Sequence, residues 1–149
     1  MNLFQKVCNM FSTDNDTRFY YLSLIKHKNP NTNVESWSIH GLWPQYSLKK
    51  YPSYCKDVDF KLNELNAIIE ELRKNWYAEK NDIIDDNEFW EHEYKKHGSC
   101  MFENLTEFEY FNKTLELFNY VIKNNLVDKY YDTETKKCLI PFDLKYNII

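Results

Sequence analysis

Hydrophobic and polar positions along the chain mark a small set of elements. Residues 19–25, Phe-Tyr-Tyr-Leu-Ser-Leu-Ile, form an aromatic and apolar run that predicts a buried strand. The Asn, Pro and Thr content of 28–35 marks a loop. Ser36-Trp37-Ser38-Ile39-His40 alternates as a second strand would, with its end expected at Gly41-Leu42-Trp43-Pro44, where a Gly and a Pro stop pairing. Over 60–76, apolar residues recur at Leu62, Leu65, Ile68, Ile69, Leu72 and Trp76. That spacing predicts one amphipathic helix, with Asp59 as its N-cap. A second helix is predicted over 106–124, with Phe108, Phe111, Leu115, Phe118 and either Val121 or Ile122 on one face. Thr106 and Glu109 form a capping-box pattern at its start. Residues 137–149 read as a final strand, broken or edged at Pro141. The stretches 1–17 and 46–55 read as irregular, and 77–87 as an acidic connection.

Between that connection and the second helix lies Phe89-Trp90-Glu91-His92-Glu93-Tyr94-Lys95-Lys96-His97-Gly98-Ser99-Cys100. A helix here sets His92 above Lys96 and Glu93 above His97, each pair four apart on neighbouring rows. Gly98 supplies a helix stop. His40, at the end of a strand and before a Gly turn, occupies a common position for a working side chain.

The length of 149 residues, with no internal repeat or linker, predicts one domain over 1–149 with a core of its own. A net charge of −4 argues against a non-specific nucleic-acid coat but not against an enzyme with a locally positive cleft. No apolar run is long enough to span a membrane, so no membrane partner is expected. The first ten residues lack the apolar centre of a signal peptide. Four cysteines nonetheless fit two disulfides and an oxidising compartment. Sequons at Asn15, Asn104 and Asn112 lean the same way, toward a secreted glycoprotein.

His40, His92 and His97 with Glu93 and Lys96 have the chemistry to divide acid and base roles and to stabilise an oxyanion or a phosphoryl oxygen. They are the parts needed to move a proton off a hydroxyl, hold a five-coordinate phosphorus and protonate a leaving oxygen. Nearby aromatics, Trp43, Tyr51, Phe89 and Trp90, are of the type that stacks on single-stranded bases. Taken singly each residue has a plainer reading: a structural strand-end histidine, exposed helix histidines, a solvated lysine, core aromatics. Trp90, Glu91, Lys95 and His27 are read that way, His27 as a surface residue.

Ser38-Ile39-His40-Gly41-Leu42-Trp43-Pro44 and the 89–100 stretch resemble, in order and separation, the two active-site segments of the ribonuclease T2 family. The resemblance runs over roughly 19–126 and takes in Tyr51-Pro52-Ser53-Tyr54-Cys55. It implies an α+β fold, a central antiparallel sheet with packed helices. It implies a metal-independent endoribonuclease, with no cofactor, that cuts single-stranded RNA through a 2′,3′-cyclic phosphate to a 3′-phosphate and does not cut DNA. By position, His40 matches the histidine that protonates the 5′-oxygen, and His97 the one that takes the 2′-hydroxyl proton. His92 matches the phosphate-holding histidine, and Glu93 with Lys96 the pair that stabilises the intermediate. Trp43 and Tyr51 match the first base site and Phe89 the second. Cys55 and Cys100 match a disulfide. A monomer is expected, in a secreted, lysosomal or vacuolar-type compartment by the resemblance and the cysteines, with an intracellular protein of reduced thiols as the alternative that the lack of a visible signal peptide leaves open.

The sequence departs from the family pattern in places. Gln45 stands where some members carry an Asp that shapes base preference. Tyr94 replaces a Trp, and Lys26-His27-Lys28 replaces a Trp-Pro and a cysteine. The part after the second strong helix is short, which leaves Cys8 and Cys138 without their usual partners and as candidates to pair with each other. Two other readings stand beside the ribonuclease. One is a metal site built from His40, His92, Glu93 and His97, though His-Glu-x-x-x-His is not the spacing of helical zinc proteases. The other is a non-catalytic relative that binds RNA or a protein partner.

Overall fold

The computed structural model describes residues 16–79 and 85–149. The expected irregularity of most of 1–17, the Asn15 sequon, Cys8 and the middle of the acidic connection lie outside the described residues. The architecture is α+β, as the sequence implied. One antiparallel sheet has the strand order β2-β1-β4-β3, formed by β1 (Phe19–Lys28), β2 (Glu35–Gln45), β3 (Tyr131–Asp132) and β4 (Lys137–Phe142). The helices are α1 (Ile69–Asn75), α2 (Asp86–Lys96), α3 (Glu107–Lys123) and α4 (Val127–Tyr130).

The unbroken apolar run at the start of β1 reflects its central place. Tyr20, Leu22 and Leu24 face the main core with Ile39, Leu42, Ile140 and the apolar sides of α1 and α3. Phe19 and Tyr21 face the other way, against Trp43, Leu48 and Leu139. Helices therefore cover one face, and the opposite face is left with an aromatic floor.

β2 runs longer than the sequence predicted. It passes through Gly41 and Pro44 to Gln45. Pro44 is tolerated because β2 is an edge strand, where a missing N–H breaks no ladder. Pro141 likewise sits inside β4, opposite Tyr21, beyond the two β4 residues that β3 pairs. Its carbonyl accepts from Ile149 N at 3.1 Å. The predicted strand over 137–149 thus stops at Phe142, and 143–149 folds back to an isolated bridge between Phe142 and Ile148.

The predicted helix over 60–76 is also corrected. It is a 3₁₀ turn, Leu62–Leu65, followed by the short α1. Asp59 caps neither piece; Lys61 N instead donates to the Glu107 carboxylate at 2.7 Å. Asn63 and Asn66 favour local turns over helix, and the 3₁₀-type bonds Asn66 N to Asn63 O and Ile68 N to Leu65 O break the register. By contrast, α3 starts where its pattern placed it, with Thr106 and Glu109 making both capping-box bonds. It ends in a Schellman arrangement: Leu126 N reaches Val121 O, Asn125 N reaches Ile122 O, and Asn125 adopts φ 54°. Its buried stripe is Tyr110, Phe111, Leu115, Phe118 and Val121, each contributing about 1.5–3 kcal/mol of burial. Ile122 is 40% exposed, which resolves the open alternative in favour of Val121.

Candidate active site

Two backbone devices set up the site. The first is a bulge in β2. The register pairs Ser23 with Gly41 and Leu24 with Ile39, stepping over His40. Because of that extra residue Ile39 and Leu42, three apart, both reach the core, while Trp43 joins the opposite face. A bulge re-aims the side chain it inserts, and His40 is the inserted residue.

The second device is the end of α2. Asp85 caps its start by accepting from Glu88 N at 2.8 Å. Trp90 is fully buried with its indole N–H donating to Trp76 O at 2.6 Å, and Tyr94 packs on Tyr110 and Phe111. The Glu91–Lys95 pair lies on the outer face, 2.8 Å apart. The core stripe thus locks the rotation of α2, and Glu93, 2% exposed, is turned inward toward β2. Gly98 stops the helix, but not as a left-handed cap, since no glycine has positive φ. It opens a 3₁₀ turn, Gly98–Cys100, where a Cβ would lie 2.7 Å from the Tyr94 ring and 3.2 Å from Tyr110. At Gly41, an added Cβ would collide with the Glu93 carboxylate and the Trp43 indole. Both glycines are therefore demanded by close approach.

Glu93 is the geometric centre. His40 Nε2 lies 3.8 Å from Oε1 and His97 Nε2 lies 3.9 Å from Oε2. The Trp43 indole N–H donates to Oε2 at 2.9 Å. The Trp43 ring also sits 5.1 Å from the His40 ring and 5.2 Å from the His97 ring. A cavity of about 400 Å³ opens over this group. Its lining includes all five expected catalytic residues, His40, His92, Glu93, Lys96 and His97, and three of the expected base-site residues, Trp43, Gln45 and Tyr51. Gln45 is 6% exposed and donates from Nε2 to Ser47 O at 3.1 Å. Phe89 is not in this lining. Its ring lies 5.8 Å from that of His40, and it borders a second cavity of about 230 Å³ that shares only His40 with the first.

His27 also borders that second cavity. It is half-buried, with its ring 4.6 Å from Tyr77, so the surface reading is corrected: β1 extends past its apolar run and carries His27 under Tyr77. Sequence reasoning also missed Tyr21, Lys49 and Leu139 in the first cavity. Tyr21 and Leu139 lie in apolar strand runs that read only as core. The Cys55–Cys100 disulfide is present, and Tyr54 N bonds to Lys96 O at 2.9 Å; together they hold the 46–55 loop on the end of α2. Among the described residues Cys138 is a buried free thiol; its pairing with Cys8 concerns a residue outside them. Among the described residues, no three His, Cys, Asp or Glu side chains converge as a metal-ligand set.

Burial dominates the electrostatics. It pushes the Glu93 carboxyl up to about 8, against the opposing effects of the Trp43 hydrogen bond and Lys96. Burial pushes His97 down to about 3, helped by the positive neighbours Lys96, His92 and His40. His92 is lowered by burial and by Lys96. The desolvated site thus favours neutral Glu93 and neutral His97. The linkage signs follow. Glu93, raised from 4.5, contributes stability below that value that is lost as pH rises to about 8. His97, lowered from 6.5, contributes stability above that value that is lost as pH falls toward about 3. In a Tm–pH series the Glu93 and His97 slopes oppose each other between pH 4.5 and 6.5, so the parent should lose stability from 6.5 up to about 8, and Glu93→Gln should remove that loss. Parallel curves would mean Glu93 ionises freely.

Residues 2–137 match the profile of the Ribonuclease T2 family, beyond the 19–126 that the motifs alone suggested. Ribonuclease DdI of Dictyostelium discoideum is 37% identical over 70 residues, which are 47% of this chain and 30% of that protein. Intracellular ribonuclease LX of Solanum lycopersicum is 35% identical over 94 residues, 62% of this chain and 38% of that protein. The matched part thus spans well under half the length of these relatives. Ribonuclease MC1 from bitter gourd seeds superposes with a TM-score of 0.68 at 18% identity, over 89% of this chain and 93% of that structure.

Proposed function

Since the chain belongs to the ribonuclease T2 family, we propose that it is an endoribonuclease that cleaves single-stranded RNA by transesterification. The observation that carries this reading is the convergence of His40 and His97 on Glu93, at 3.8 and 3.9 Å, in one cavity with His92 and Lys96. In the first step the substrate's 2′-oxygen attacks phosphorus while His97 takes its proton. The bond from phosphorus to the 5′-oxygen breaks, and His40 gives that oxygen a proton. The products are a 2′,3′-cyclic phosphate and a free 5′-hydroxyl. Water then opens the ring with the two histidines in reversed roles, leaving a 3′-phosphate.

Burial supports this assignment. A His97 held neutral down to about 3 is ready to accept a proton in mildly acid solution. A Glu93 kept protonated up to about 8 sets no buried negative charge against the phosphate. His92 and Lys96 face the same cavity and are assigned to the phosphoryl oxygens. Trp43 gains a role the motif did not suggest: its N–H fixes the Glu93 carboxyl between the histidines. The first cavity takes the base upstream of the cut, against Tyr51 and Gln45, and the second takes the downstream base, against Phe89. No metal is needed for any step, DNA is not cut, and the Cys55–Cys100 bridge suits a secreted or vacuolar-type compartment. No described helix is long and apolar enough to cross a membrane.

The test is purified protein with single-stranded RNA, with and without excess chelator, and products identified by mass. Cyclic phosphate ends at a chelator-insensitive rate are expected. The rate should be bell-shaped in pH, because one histidine must be neutral and the other protonated. With the base titrating far below the ordinary 6.5, the optimum should lie on the acid side of that value. A rate that climbs steadily into alkali, or that chelation abolishes, would point to metal-bound hydroxide instead. Binding of RNA without any cutting would favour the non-catalytic relative.

A further inference from the structure

The stretch 36–56 contains no Asp or Glu, yet it carries Lys49, Lys50 and Lys56 in a chain of net charge −4. The same stretch exposes tyrosines. Tyr46 is 47% exposed, Tyr51 53% and Tyr54 60%, whereas Tyr20, Tyr77 and Tyr110 are at most 1% exposed. A single exposed tyrosine needs no explanation. Three within nine residues, on a locally basic segment of an acidic chain, do. Among the described residues neither Lys49 nor Lys50 joins an ion pair, so their charge is available.

The segment is also fixed in place. Tyr54 N bonds to Lys96 O at 2.9 Å, Cys55 N bonds to Ser99 Oγ at 3.1 Å, and Cys55 is bridged to Cys100. Tyr54 adopts φ 49°, a left-handed conformation that a bulky residue takes at a cost. A rigid aromatic four to five residues along the chain from unpaired lysines is of the kind that tracks single-stranded nucleic acid.

We propose that the 49–54 segment is a platform for RNA upstream of the cut. Tyr54 stacks a base beyond the first base site, and Lys49 and Lys50 hold the phosphates that lead to it. The proposal rests on the ribonuclease reading, which also sets the direction. His97 takes its proton from the nucleoside on the 5′ side of the cut, and the Tyr51 ring lies 6.2 Å from the His97 ring. Tyr54 is three residues further on, within about 11 Å of chain. The His40 and Phe89 side is left for the downstream strand.

The experiment compares kcat/KM for a dinucleotide, the same substrate extended by two nucleotides on its 5′ side, and one extended on its 3′ side. The 5′ extension should raise kcat/KM by about 5–100-fold, the range for one stacked base. The gain should be lost in Tyr54→Ala combined with Lys50→Ser, neither of which lines the cavity, and should shrink with added salt. Lys50→Glu alone should reduce it in part. An equal 5′ gain in parent and double variant overturns the proposal, as does a gain only from the 3′ extension. The all-deoxy 5′-extended oligonucleotide, titrated by fluorescence anisotropy, separates the two readings. Tyr54-dependent binding with no cleavage of any RNA would sink the ribonuclease and leave the platform standing. Cleavage with Tyr54-independent binding would do the reverse.

Discussion

His97→Ala, or His40→Ala, is expected to lower the turnover of RNA by about 10²–10⁴, the range for a positioned acid or base. The two histidines reach the cavity from different elements, a β2 bulge and the end of α2, so neither can stand in for the other. Each lies within 4 Å of the same Glu93 carboxyl, a separation suited to serving the two sides of one phosphorus. Lys96→Ala should cost about 10²–10³, as for loss of one oxyanion donor. Lys95→Ala is the control: its ammonium pairs with Glu91 on the outer face and is absent from the cavity lining. The check is steady-state kinetics on one RNA, with Tm showing that each variant is folded. Parent-like turnover in His40→Ala would remove the mechanism.

The second large effect is on stability. Cys55→Ala with Cys100→Ala should cost about 4 kcal/mol through the loop entropy returned to the unfolded chain, for a bridge spanning 45 residues of sequence. For a domain of this size that corresponds to a Tm lower by roughly 8–16 °C, read by thermal denaturation with and without reductant. The loop freed by that change carries Tyr51 and the bond from Tyr54 N to Lys96 O. KM for RNA should therefore rise more than kcat falls. An unchanged Tm in the double variant would mean that the remaining contacts hold the loop alone.

Much of this arrangement was legible in the sequence. The capping box placed the start of α3, and the spacing of two imidazoles, a carboxylate and an ammonium within six residues marked α2 as chemical. What the sequence concealed has physical causes. The bulge at His40 lies in a strand whose Gly41 and Pro44 normally end pairing, and only the edge position of β2 lets it continue. The 60–76 pattern has helical periodicity, but Asn63 and Asn66 with the Lys61–Glu107 contact break it into a turn and a short helix. Trp43 read as a base platform because an indole N–H leaves no periodic signal of its partner, here Glu93, 50 residues away. The exchange of roles between burial and charge at Glu93 was likewise hidden: beside two histidines a carboxylate suggests ion pairing, whereas 2% exposure makes neutrality the lower-cost state.

The central claim is that the substrate's own 2′-hydroxyl is the nucleophile and that the protein supplies none. The direct measurement is cleavage of one RNA strand carrying a single 2′-deoxy position, with every product end identified. Cutting should vanish at the bond 3′ to that position and continue at the others, with 2′,3′-cyclic ends appearing before 3′-phosphates. Cutting of the deoxy bond at an undiminished rate, or the appearance of 5′-phosphate ends, would make water the nucleophile and contradict the roles assigned to His40 and His97.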